Sequence, residues 1–107
     1  MNIFGKKIDH ATSNVQYERC EIAVTEPKFE GTQFMFRFFA RASSPKERYT
    51  AMVSKQSCPG KQPNYDNKET QLALNNLKIQ LISEGWELLT EKGSMWYNLR
   101  FRRIYKP

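Results

Sequence analysis

Few side chains in this 107-residue chain have types and spacings that would do covalent chemistry. His10 is the sole histidine, and Cys20 and Cys58 lie 38 positions apart with no further partner at ligand spacing, so no structural zinc, other metal or cofactor is expected. A Ser/His or Cys/His pair would have to use that same histidine. It stands in an N-terminal segment with few apolar anchors, a poor platform for catalytic geometry. Cys58 is followed by Pro59, Gly60 and Lys61, and a nearby cation lowers a thiol's pKa. With no base beside it, the reading is an ordinary surface thiol. Pro59, Gly60 and Lys61 also lack the second glycine and the Ser or Thr of a phosphate loop. Glu84, Glu87 and Glu91 cluster, yet strand alternation sends Glu87 and Glu91 to one outward side, where charge serves solubility. No catalytic residue emerges, and the chain is expected not to be an enzyme.

Binding chemistry is richer. Between residues 34 and 41 Phe34, Phe36, Phe38 and Ala40 alternate with Met35, Arg37, Phe39 and Arg41, and near the C-terminus Trp96, Arg100 and Arg102 share a parity. Aromatic rings stack on exposed bases at about 1 to 3 kcal/mol each and guanidinium groups answer phosphates. Arg37, Phe39, Arg41, Trp96, Arg100 and Arg102 are therefore the candidate residues for single-stranded RNA or DNA on an open sheet face. The same residue types are enriched in protein interfaces, so a protein partner or a homodimer is the alternative. No glycine-bearing RNP-like run accompanies the aromatics, so the pattern carries no family-specific nucleic-acid motif.

Composition sets the frame for those residues. A chain of this size with 39% apolar and 26% charged residues forms one globular domain, neither disordered nor disulfide-dense. Of the formal charge of +6, Arg100, Arg102, Arg103 and Lys106 supply four units within the last eight positions, which hold no acid. Such a patch suits phosphate, an anionic membrane or an acidic protein. Two unpatterned cysteines and no basic-then-apolar leader make a reducing, cytoplasmic setting the default. The most apolar stretch, residues 72–82, is interrupted by Asn75, Asn76, Lys78 and Gln80, so no membrane span is expected.

The elements that must position the site follow from periodicity. Residues 1–14, with only Ile3, Phe4 and Ile8 as apolar anchors, read as an arm, and residues 15–107 as the α+β domain. From Tyr17 onward Cys20, Ile22 and Val24 alternate with Arg19, Glu21 and Thr25 as a strand. The Phe-rich strand follows, then a turn at Ser43, Ser44, Pro45 and Lys46 and a hairpin partner through Tyr49, Ala51 and Val53. Residues 56–66, with two prolines and a glycine, read as a long irregular loop.

Asp66 and Glu69 resemble a capping box opening a helix that runs to about Glu84, with Gly85 as its left-handed stop. Ala73, Leu74, Leu77 and Leu81 form one apolar stripe, and Leu72, Ile79 and Ile82 gather nearly opposite. The second stripe is a possible interface, covered by the arm or by another subunit. Trp86, Leu88 and Thr90 then alternate with Glu87, Leu89 and Glu91 up to a turn in which Gly93 is free to take positive φ. A last strand runs from Met95 with Tyr97, Leu99 and Phe101 inward. The order is βββαββ, giving a mainly antiparallel sheet with one helix packed on one face.

Leu74, Asn75 and Leu77, then Glu84, Gly85, Trp86, Glu87 and Leu88, then Phe101, Arg102 and Arg103 resemble a family of small bacterial domains of unknown function. In that family a helix ends in an EGWEL-type signature and the following hairpin closes on a basic stretch. The resemblance covers residues 74–104, and residues 31–66 are longer than its pattern. It implies no activity and assigns no functional residue.

Overall fold

In the computed structural model residues 15–107 are described. The arm read at residues 1–14, with His10, Ile3, Phe4 and Ile8, lies outside them. Eight strands and one helix follow: β1 (Tyr17–Val24), β2 (Lys28–Glu30), β3 (Gln33–Phe36), β4 (Phe38–Ser43), β5 (Arg48–Val53), β6 (Cys58–Pro59), α1 (Lys68–Ser83), β7 (Glu87–Lys92) and β8 (Leu99–Ile104). The α+β class and the antiparallel pairing agree with the sequence reading. The expected βββαββ order does not, because the strands divide between two sheets: a large one ordered β5-β4-β1-β8-β7 and a small one ordered β2-β3-β6.

The division has a local cause at Arg37. What reads as one Phe-rich strand bends there, leaving β3 in the small sheet and β4 in the large one. The Arg37 N–H donates to Thr25 Oγ1 at 2.9 Å, and its carbonyl accepts from the Thr25 N–H. Its guanidinium reaches the carbonyls of Ser54 and Lys55 at 2.9 and 2.7 Å. Three chain segments thus turn the corner together, tied by one residue, its backbone to Thr25 and its side chain to Ser54 and Lys55. Phe36 and Phe38, on either side of the bend, are both buried with rings edge-to-face at 5.6 Å. The loop expected over residues 56–66 also needs correction, since Cys58 and Pro59 form β6 and pair with Phe36 and Met35.

Helix α1 lies over the buried face of the large sheet and over β6. Ala73, Leu74, Leu77 and Leu81 are its buried stripe, as the periodicity predicts, and they pack with Cys20, Ile22, Phe38, Ala40 and Phe101. Its N-cap is Asn67, one residue beyond the expected Asp66. Asn64 Oδ1 takes the Asp66 N–H and turns the chain there, so Asn67 Oδ1 is the acceptor for the Thr70 N–H at 2.9 Å and the Thr70 hydroxyl at 3.1 Å. At the other end Gly85 has φ +95°, and the Trp86 N–H returns to the Leu81 carbonyl, a Schellman-type stop.

The final hairpin departs from expectation in its turn. The last strand begins at Leu99 rather than Met95, because Asn98 organises residues 93–98 as a loop: its Oδ1 accepts the Met95 N–H and its Nδ2 donates to the Ile22 carbonyl, both at 2.9 Å. Gly93 is not in a left-handed conformation. It is needed for space, since a Cβ there would sit 2.7 Å from Asn98 Cβ.

Candidate functional site

With β1 at its centre, the large sheet presents two unlike faces. Glu18, Cys20 and Ile22 point to the helix side and are buried, whereas Arg19 and Glu21 point away. Pairing of β1 with β4 and β8 brings further residues of that outward parity beside them, and directly opposed residues share a face.

Register orders the outer face into rows that cross the strands. One row runs Arg48, Ser43, Arg19, Arg102 and Glu87, from β5 to β7. The next holds Thr50, Arg41, Glu21 and Arg100. A third, Val53, Phe39 and Ala23, is apolar. Arg48, Ser43 and Arg19 of the first row and Arg41, Glu21 and Arg100 of the second, together with Leu89 and Glu91 of β7, line an open trough of about 530 Å³, with the Arg102–Glu87 pair beyond its border.

Cations exceed acids in this trough. Glu21 sits between two arginines, 2.9 Å from Arg100 Nε and 3.5 Å from the Arg41 guanidinium. Arg102 Nε meets Glu87 at 3.1 Å while its guanidinium lies over the Tyr17 ring at 4.5 Å. Arg19 and Arg48 have no ion pair among the described residues, and Arg19 stands directly opposite Arg102. Like charges facing each other across a strand pair cost free energy. An anion laid in the trough would relieve that repulsion.

Four of the six sequence-derived residues, Phe39, Arg41, Arg100 and Arg102, come together on this face. Arg37 does not, because it is the corner residue whose guanidinium is occupied by two backbone carbonyls. Trp96 does not either. It precedes β8, packs against the core, and has its ring flanked edge-on by Tyr65 at 5.0 Å and Tyr97 at 5.5 Å. The residues missed are Arg19, Arg48 and Ser43. Alternation already places Arg19 beside Glu21 and Arg48 beside Thr50, but only the strand order makes them neighbours of Arg41 and Arg100.

The other candidate groups are differently placed. Cys58, read as a surface thiol, is buried, and burial pushes its pKa up. Cys20 is likewise buried and pushed up to about 12 by desolvation. Both are free thiols in the core. Leu72, Ile79 and Ile82 are exposed along the outer side of α1. Among the described residues no helix is long and apolar enough to cross a membrane, and no cluster of three or more His, Cys, Asp or Glu has metal-ligand geometry.

Compared with protein-family models, with curated proteins and with solved structures, the chain has no match.

Proposed function

We propose that the protein is a non-enzymatic binding module that holds single-stranded nucleic acid on the outer face of its large sheet. The observation that carries this reading is the surplus of arginine in an open trough: Arg19, Arg41, Arg48 and Arg100 against Glu21 and Glu91, with the Phe39 row beyond one end and the paired Arg102 and Glu87 outside it. Guanidinium groups bind phosphates in a planar fork, and an open sheet with a ring at its border suits unpaired bases. Pairing two copies of this face would oppose arginine to arginine, which favours an anionic ligand over self-association there.

The two thiols support the non-enzymatic part, since buried, protonated cysteines are not nucleophiles. They also suit a reducing compartment, the cytoplasm, where free core cysteines persist. Membership in the family of small bacterial domains with the EGWEL-type helix end is part of the same proposal. It rests on residues 74–104, where Gly85 stops the helix and Trp86 is buried beneath the Arg103 guanidinium, 4.4 Å from its ring centroid. A second reading, a protein contact through Leu72, Ile79 and Ile82, draws on their exposure.

The test is fluorescence anisotropy of nuclease-treated protein with a mixed single-stranded oligonucleotide, titrated at several salt concentrations. Binding should weaken steeply with salt, and Arg19→Ala with Arg48→Ala should weaken it and flatten the slope by roughly one counterion per lost phosphate contact. Absence of binding at low salt, or an unchanged slope in the double variant, would overturn the reading. Light scattering on the same samples reports whether the protein self-associates instead.

A further inference from the structure

The three acids of the outer face are not evenly spread, and their placement defines a track. Glu21 lies on β1, while Glu87 and Glu91 lie on β7, at the far edge. The outer face of β4 and its neighbour β5 carries none. Along β4 it reads Phe39, Arg41, Ser43, and along β5 Val53, Thr50, Arg48, in matching register. Ser43, exposed, has Arg48 on one side and Arg19 on the other, a hydroxyl between two guanidinium groups that have no ion pair among the described residues.

Resting on the nucleic-acid reading, we propose that the single strand lies lengthwise along β4 and that the site is filled by two to three nucleotides. One base rests on the Phe39 ring, one phosphate meets Arg41, and the next is held by Arg48, Ser43 and Arg19. Successive levels are two residues apart along a strand, about 6.6 Å, a step that suits consecutive phosphates of an extended single strand. A strand crossing the sheet instead would end against Glu87 in one row, or pass over Glu21 in the other. The lengthwise track alone offers cations and a ring with no carboxylate on its own two strands, and Glu21 of the neighbouring β1 reaches only Arg41, from the side at 3.5 Å.

The experiment is competition of unlabelled oligothymidylates of one to twelve nucleotides against a labelled twelve-mer, repeated with inorganic polyphosphate and with variants on and off the track. Affinity should rise to about three nucleotides and then grow only in proportion to the number of registers on the longer strand. Ser43→Asp should weaken binding at least tenfold and Phe39→Ala several-fold, whereas Arg102→Gln, off the track, should weaken it less than threefold. Melting temperatures close to wild type establish that each variant is folded, and Arg48→Ala replaces any that is not. Affinity that climbs steadily to twelve nucleotides, or an Arg102 loss equal to that at Ser43, would overturn the track while leaving nucleic-acid binding intact. Polyphosphate competing as well as the oligonucleotides would remove the base from the site. Failure of every oligonucleotide to bind wild type would overturn the functional reading itself.

Discussion

Glu18 and Glu21 stand three residues apart on the same central strand, and both are paired with arginine, yet they do opposite work. Glu18 faces the core side, buried, accepting from the Tyr49 hydroxyl and from Arg103 Nε at 2.7 Å. Arg103 also donates to the Glu84 carbonyl at 3.1 Å, tying the helix end to the sheet. One acid, one cation and one phenol close on each other, with small Ala42 beside Tyr49 on the intervening strand. Glu21, on the outer face, is shared by two arginines and balances only one of them. The difference teaches that charge on the helix side is matched and structural, whereas charge on the outer side is in excess and open to a ligand.

The sharpest break of that contrast is Glu18→Ala. It leaves the Arg103 guanidinium and the Tyr49 hydroxyl without their partner, at a cost of about 2–4 kcal/mol, read as a lower urea midpoint. The same pair predicts an acid response. Burial raises the Glu18 pKa, but hydrogen bonds from Tyr49 and Arg103 together with the Arg103 charge outweigh it and hold the carboxyl below its ordinary value. A carboxylate depressed in the folded state contributes stability above its unfolded pKa of about 4.3 and loses it as pH falls through the folded value. Wild type should therefore lose more stability than Glu18→Gln between pH 5 and strong acid, measured by denaturation at each pH.

A smaller loss is expected at the turn that joins the edge strand β7 to its neighbour β8. Gly93→Ala pushes a methyl into Asn98, whose side chain holds the loop to Ile22, and should cost about 1–3 kcal/mol. Calorimetric melting of this variant beside Gly31→Ala, where no atom lies within 4 Å but φ is +66°, separates lack of space from backbone strain.

Least of all should change in Glu21→Gln. Exposed ion pairs contribute roughly 1 kcal/mol or less, so the melting temperature should hardly move. Oligonucleotide binding should tighten and its salt dependence steepen, because Arg41 and Arg100 lose their competitor. Weaker binding in this variant would mean that Glu21 positions the arginines instead of competing for them.

How much was legible varies by element. The buried helix stripe and its glycine stop follow from apolar spacing and from the one residue that takes positive φ without strain. The corner at Arg37 was hidden, since Phe34, Phe36 and Phe38 keep perfect alternation through a bend that long-range hydrogen bonds to Thr25, Ser54 and Lys55 create. Trp96 was misplaced for a related reason: Asn98 turns the chain by bonding Ile22, 76 residues away in sequence.

The sequence by itself determined which residues of β1, β4 and β8 share a face, because side-chain direction alternates with a period of two in a regular strand. It thereby grouped Arg41 with Phe39 and Arg100 with Arg102. In β5 a register shift opposite Ala40 and Arg41 carries Val53, which alternation groups with Tyr49 and Ala51, to the outer face with Thr50. Only the tertiary structure decided that β1 lies between β4 and β8, which sets Arg19 beside Ser43 and Glu21 between Arg41 and Arg100. Strand order is fixed by pairing between segments far apart in the chain and by how the helix covers the sheet, and no local pattern encodes either.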